Sequence, residues 1–434
     1  MSFDFSNPRL IEHMLEGHFG LEKESLRVTE KGYLAHTRHP FPDDPNMERD
    51  FCENQTELIT DVADSADEVW ELLADLQRKA VTTLQHLDSG KELMWPFSNP
   101  PYVRSETDIP VASFKGELRG KTLYRQYLAN KYGKRKMLFS GIHFNFSFSK
   151  NMIEEGFRQS DFSSIQEYQD HIYLELAQKA TRYSWLIVYL TAASSVMDGS
   201  FFNEKERGKT ILKDLASPRC SKIGYWNDFN PVLDYTSLSS YVESIEFYVK
   251  QGQLRAPAEL YYPVRLKPPG ENSLERLKIH GVNHIEFRMI DLNPMDPVGI
   301  RKEDVKFFQL LILYLMSLED TEFLPFEQIM ALKNEKAASR YEEQNILIET
   351  GWNSSLPVKY AALHVLASME RFFGKFRNPE LLDIIRFQEQ KVFCPKTRYA
   401  VQVREAFQED YVKRGVALAE KYAEKYKKDI DMSE

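Results

Sequence analysis

Gly141-Ile142-His143-Phe144-Asn145-Phe146-Ser147-Phe148 alternates, residue by residue, between apolar and polar side chains. Successive side chains of a β-strand point to opposite faces. Ile142, Phe144, Phe146 and Phe148 therefore belong to one face, and His143, Asn145 and Ser147 to the other. The same period runs through His284-Ile285-Glu286-Phe287-Arg288-Met289, where Glu286 and Arg288 share the polar face. Gly20-Leu21-Glu22-Lys23-Glu24-Ser25-Leu26-Arg27-Val28 sets two carboxylates two residues apart, again on one face. Three such strands side by side would make a polar floor suited to metal ions and phosphate. Half-exposed antiparallel strands that simply meet water show the same alternation, so spacing alone leaves both readings open.

Around these strands the chain predicts an irregular succession of elements. A strand at Glu22–Val28 is expected to turn at Lys31-Gly32 into a second at Tyr33–Thr37, and Glu53–Ile59 reads as extended. Asp64-Ser65-Ala66-Asp67-Glu68 opens a helix with acidic residues at its positive end, and Val69, Leu72, Leu73, Leu76 and Ala80 continue it at core spacing. Three prolines keep Met94–Pro101 irregular. Lys121–Tyr132 predicts a helix ending at Gly133, and Ile165 to about Ser195 a helical zone. A loop-rich middle precedes strand-like Leu260–Leu266 and Val282–Met289. From Arg301 onward helix dominates, and Lys413–Lys428 reads as a solvated helix face. Strands outnumber helices up to Met289 without regular βαβ spacing. The expected fold is α+β, with an antiparallel or mixed sheet and surrounding helices in a single domain over 1–434.

Composition sets the outer limits. The 434 residues are 42 % hydrophobic and 28 % charged, as in ordinary globular proteins, with a net charge of −9 that argues against a nucleic-acid partner. The greasiest runs, Tyr183–Met197 and Phe307–Leu318, fall short of the roughly 18–20 residues a membrane span needs. The N-terminus has no basic head or apolar middle of a signal peptide. Three cysteines without CxxC spacing suggest a reduced, cytoplasmic protein without structural zinc. Cys52 and Cys220 lie beside candidate site residues, where pairing would be unusual for that compartment. Neither GxxxxGK[ST] nor a strand-borne GxGxxG is present, which removes the P-loop and Rossmann readings.

Glu22, Glu24, Asp50, Glu53, Glu57 and Glu286, with His143, form the acidic inventory of the candidate strands. Oxygen-rich sets with one histidine suit Mg²⁺ or Mn²⁺, and carboxylates gathered together repel unless cations lie between them. Arg288, on the face of Glu286, is placed to neutralise a transferring phosphoryl group. These residues fit a multi-metal phosphate site, such as that of a multi-metal phosphohydrolase, and fit equally a set of unrelated surface strands whose polar faces meet water.

The motifs narrow that choice. Phe19–Val28 resembles the GLExExxRV opening of the glutamate–cysteine ligases, Asp50–Thr60 their second motif, and Met94-Trp95-Pro96 their MWP signature. Thr122–Arg125 through Tyr132-Gly133 to Ser140–Ser147 is similar to their central block. Arg219 to Gly224-Tyr225, Glu259–Arg265, Ile285–Arg288 and Asp291–Pro294 complete the set in the family's order, from about residue 18 to 300. The likeness is to the bacterial group that includes the N-terminal half of bifunctional glutathione synthases. It implies a glutamine-synthetase-like fold, whose antiparallel sheet curls into a funnel lined with carboxylates.

The same resemblance implies ATP-dependent ligation of the γ-carboxylate of L-glutamate to the amine of L-cysteine through a γ-glutamyl phosphate. The substrates would be small molecules, with no membrane or nucleic acid involved. At this length there is no room for an ATP-grasp half, so the reaction would stop at the dipeptide. By the resemblance, Glu22, His143 and Glu286 form one metal site and Glu24, Asp50 and Glu57 another, for Mg²⁺ or Mn²⁺. Arg288 stabilises phosphate, Arg219 and Tyr225 hold the acceptor's carboxylate, and Phe51, Tyr124, Leu128 and Tyr261 surround its side chain. Met137 stands where some relatives carry glutamine, which leaves another small amine acceptor, such as 2-aminobutyrate or alanine, compatible with the pattern.

Overall fold

A computed structural model describes residues 3–351 and 353–431. Its frame is a seven-stranded sheet: β1 (Gly17–Thr29), β2 (Met47–Arg49), β3 (Gln55–Ile59), β4 (Glu92–Met94), β5 (Ile142–Phe148), β6 (Val264–Lys267) and β7 (His284–Ile290). The order across it is β2-β3-β1-β5-β7-β6, and β4 pairs with the far end of β1. Each of these pairings is antiparallel, which settles the choice between antiparallel and mixed.

β1 is the keel. Its first part lies between β3 and β5, while Arg27, Val28 and Thr29 leave that pairing for β4. Arg27 secures the change of partner. It is fully buried and donates to the Glu92 carboxylate at 2.5 Å, the Thr37 hydroxyl at 2.6 Å and the Glu53 carbonyl at 2.9 Å. The opposite face of β1 and β5 is apolar: Phe19, Leu21, Phe144, Phe146 and Phe148 join the main core. Helices Ile165–Arg182, Ser184–Thr191 and Lys302–Ser317 contribute to that same core.

Several local expectations are corrected. Tyr33–Thr37 forms no strand; Leu34 bridges Val28 and Tyr33 bridges Tyr102 singly. The helical zone after Ile165 breaks at Tyr183 and stops at Thr191. Met94, expected to be irregular, ends β4. The middle holds a helix at Leu238–Lys250, and the C-terminal third contains an antiparallel hairpin, Leu347–Gly351 with Ser354–Pro357. The charged helix Tyr411–Asp431 is amphipathic rather than wholly solvated. Val412, Val416 and Ala419 are buried in a cluster with Trp95 and Phe97, and Trp95 closes on Gly415.

Candidate active site

Strand register gathers the floor. Glu22 pairs with His143 across β1–β5, Glu24 with Glu57 across β1–β3, and Asn145 and Arg265 flank Glu286 from β5 and β6. The β5–β7 ladder slips beside His143: Ile142 pairs with Ile290, but Phe144 with Phe287. The additional residue on β7 is a bulge, which bends the strand and re-aims side chains, here at Arg288.

These residues line one open cavity of about 260 Å³. Its walls include Glu22, Glu24, Asp50, Phe51, Glu57, Tyr124, Leu128, His143, Tyr225, Tyr261, Glu286 and Arg288, every predicted site residue except Arg219. Arg219 lines an adjoining cavity of about 50 Å³ that shares Tyr225, Tyr261 and Arg288 with the first. Glu53 drops out of the acidic inventory. Arg49 pairs with it at 3.1 Å, and its oxygens accept from the His39 and Ser113 amides.

The floor is crowded with like charge. Glu22 Oε2 lies 3.0 Å from His143 Nδ1, and Asn145 donates to Glu22 Oε1 at 2.9 Å. His143 Nε2 has no hydrogen-bond partner and faces Glu24 Oε1 at 3.8 Å. Glu286 accepts from Arg288 at 2.8 Å, and Lys267 Nζ stands 3.0 Å from its other oxygen. Burial pushes Glu24 up to about 8, with the charge of Asp50 adding to it. Glu57 is held well above the usual carboxylate range by burial and then by Asp50 and Glu22. Glu286 goes the other way: burial opposes its charge, yet Arg288 and Lys267 hold it well below that range. His143 is lowered by burial and by Arg288, which favours neutral imidazole, the form that ligates metals.

Glu22, Glu57 and His143 each bring one ligand-type atom within 4.8 Å of the other two. Two carboxylates whose charge is disfavoured by burial and by neighbouring acids, and an imidazole nitrogen with nothing to bond, fit a divalent cation that would supply the missing positive charge. The two ligand sets implied by resemblance form one continuous patch, in which Glu57 approaches Glu22 and His143.

Beside the acids the walls turn apolar and aromatic. Leu128 and Tyr124 come from one face of helix Arg119–Tyr132, which ends at Gly133 with φ +82°. Arg125 on that helix donates to the Asp50 carbonyl at 2.5 Å and the Arg49 carbonyl at 3.1 Å, fixing the turn that presents Asp50 and Phe51. Phe51, Leu128 and Met137 are buried together, with Tyr124, Tyr225 and Tyr261 packed against them. Tyr225 and Tyr261 meet edge to face at 4.8 Å. Burial pushes the Tyr225 phenol up to about 12, so it stays a hydrogen-bond donor.

Arg219 is 9 % exposed. Its Nη1 donates to the Ile290 carbonyl at 2.9 Å, its Nε has no partner, and among the described residues no carboxylate pairs with it. Two glycines make room for it. A Cβ on Gly141 would strike its guanidinium, and one on Gly224 its carbonyl. Asp291 braces the surrounding loops by accepting from the Ala193 amide at 3.0 Å and the Ser217 hydroxyl at 2.7 Å. A buried arginine without an anion is costly, and an anionic ligand would offset that cost.

Sequence reasoning missed Lys267, because the expected strand stopped at Leu266, one residue short. Asn145 and Arg125 lay within quoted motifs without a role, and only the paired register and the backbone contacts supply one. Cys52 and Cys220 are both buried free thiols.

Comparison with known proteins bears on the family and the fold. The family profile described as glutamate-cysteine ligase matches residues 4–255 and 249–338. The glutathione biosynthesis bifunctional protein of Listeria monocytogenes is 36 % identical over 434 residues, covering 96 % of this chain and 56 % of that protein. The Clostridium perfringens counterpart is 33 % identical, with 96 % and 55 % covered. The chain thus spans about half the length of these curated relatives. The bifunctional glutathione synthetase of Pasteurella multocida superposes with a TM-score of 0.82 at 28 % identity, over 96 % of this chain and 54 % of that one. The glutamate–cysteine ligase of Francisella tularensis, solved with AMP, shares the fold at a TM-score of 0.83 and 24 % identity, over 95 % and 89 % of the two chains. With the profile spanning most of its length and the fold shared throughout, the chain belongs to the glutamate–cysteine ligase family.

Proposed function

We propose that this protein joins the γ-carboxylate of L-glutamate to the amine of L-cysteine at the expense of ATP, with the whole chain acting as one catalytic unit. The observation that carries the reading is the joining of an acid-rich floor, a buried arginine without an anion and an apolar side-chain pocket around connected cavities.

A carboxylate lacks a leaving group, and transfer of the γ-phosphoryl group from ATP to glutamate supplies one. Mg²⁺ or Mn²⁺ held by Glu22, Glu57 and His143, with Glu24, Asp50 and Glu286 around them, would neutralise the phosphate charge. Arg288, fixed by Glu286, directs a permanent positive charge at the group in transfer. Arg219 and the Tyr225 hydroxyl take the acceptor's carboxylate, which turns its amine toward the acyl phosphate. Phe51, Leu128, Met137, Tyr124 and Tyr261 enclose its side chain and keep water from the intermediate. Attack by the amine then releases phosphate and leaves the dipeptide.

ATP turnover with glutamate and a panel of amines tests the proposal: cysteine should stimulate it most, and no stimulation by cysteine rejects that acceptor. A second reading keeps the chemistry with a different small amine. Met137 supports it, because an apolar wall recognises size rather than a thiol.

A further inference from the structure

Cationic side chains are unevenly shared among the acids of the funnel. Glu286 holds two of them, Arg288 on Oε2 and Lys267 on Oε1. Among the described residues, no lysine or arginine pairs with Glu22, Glu24 or Glu57. The two oxygens of Glu286 are not equivalent. Oε1, the one beside Lys267, also faces His143 Nδ1 at 3.7 Å, on the Glu22 side of the floor. A divalent ion shared by Glu286, Glu22 and His143 on that side would take this oxygen, which lies beside Lys267 and accepts no hydrogen bond among the described residues.

Lys267 is built to give it up. It is the last residue of β6, its side chain is 14 % exposed, and Glu286 is its one ion-pair partner among the described residues. Arg265, two residues earlier on the same face, is fixed by contrast, with its guanidinium donating to the Leu260 and Ala258 carbonyls. A lysine is a compact ammonium on a flexible stem with three donors, suited to moving between anions where an arginine fork is not.

We propose that Lys267 is an exchangeable cation of the funnel. It neutralises Glu286 before metal and nucleotide arrive, yields Oε1 to the metal, and passes to the terminal phosphate of the nucleotide. The proposal rests on the ATP-and-metal reading above. Its distinguishing consequence is that Lys267 opposes metal binding but favours nucleotide binding; a lysine that merely props up the strand would affect both alike or neither.

The test uses the full chain with Lys267→Met and Lys267→Arg, after thermal melting has established that each folds. Free Mn²⁺ is titrated without nucleotide and followed by electron paramagnetic resonance; the KM for ATP is then measured at saturating metal. Lys267→Met should bind Mn²⁺ about tenfold more tightly and raise the KM for ATP about tenfold, as expected for one charge acting through a protein site. Lys267→Arg, whose fork does not exchange between anions, should bind Mn²⁺ several-fold more weakly than wild type. Unchanged or weaker Mn²⁺ binding in Lys267→Met, or an unchanged KM, overturns the exchange while leaving the metal reading standing. A wild-type protein that binds no Mn²⁺ overturns that reading, and this proposal with it.

Discussion

The funnel and the C-terminal helices each bury a cluster of charge, and they treat it oppositely. In the helices, Asp304 accepts from Lys391 at 2.7 Å, Gln388 at 2.9 Å and Tyr399 at 2.7 Å, while the Lys391 ammonium also lies 3.9 Å over the Tyr399 ring. One anion meets one cation, and hydrogen bonds supply the rest. In the funnel, Glu22, Glu24, Asp50, Glu57 and Glu286 converge, and among the described residues the two lysine or arginine cations that pair with any of them both pair with Glu286. The first cluster is complete by itself and ties three segments together. The second is incomplete in the direction a ligand would enter, and its surplus negative charge is what a metal–nucleotide complex would relieve.

The sharpest way to break the comparison is to mutate both clusters. Glu24→Gln should lower turnover by about a thousandfold or more with little loss of stability, because it removes a carboxylate that no lysine or arginine among the described residues pairs with, while the amide keeps its volume and can still accept from the Gly141 amide. Lys391→Met should do the reverse, costing about 3–5 kcal/mol in chemical denaturation by stranding Asp304, with turnover per folded molecule preserved. If Lys391→Met abolished activity in folded protein, the division between the clusters would fail.

Titration sharpens it further. Glu24 rises from 4.5 to about 8 on folding, so the folded state binds more protons than the unfolded state between those values. The contribution of Glu24 to the stability of the metal-free protein should therefore be greatest below the unfolded value and be lost as pH rises toward 8, by about 2–5 kcal/mol. Mg²⁺ or Mn²⁺ should raise the melting temperature more at pH 8 than at pH 5. A metal effect independent of pH would contradict the crowding of acids. The smallest effect is expected at the acceptor end. Gly141→Ala should displace the Arg219 guanidinium and raise the KM for the acceptor by roughly tenfold, with kcat little changed, since it perturbs binding rather than phosphoryl chemistry.

Much of the funnel was legible because β-strand periodicity is local. Glu22 with Glu24, His143 with Asn145, and Glu286 with Arg288 could be assigned to shared faces before any pairing was known. Register was not legible: nothing local says that Glu24 faces Glu57 or that the ladder slips beside His143. The break at Tyr183 was hidden because every residue of Ser184–Thr191 is buried, so no amphipathic stripe marks a new helix. The Leu347–Pro357 hairpin was hidden for the opposite reason. Leu347 and Leu356 are largely exposed, which removes the alternation that announces a half-buried strand. Lys267 was missed at a boundary, where sequence reading is weakest.

The seating of Arg219 constrains how such a chain can diverge. Its guanidinium fits only because position 141 lacks a side chain, and its own carbonyl leaves no space for one at 224. Those three positions form an interlocked unit in which a single substitution is penalised until the others follow. The apolar lining at Phe51, Leu128 and Met137 is under no comparable lock, since hydrophobic residues of similar volume exchange at modest cost. Homologues that acquire a new taste in amines should therefore differ at that lining long before they differ at the arginine's seat.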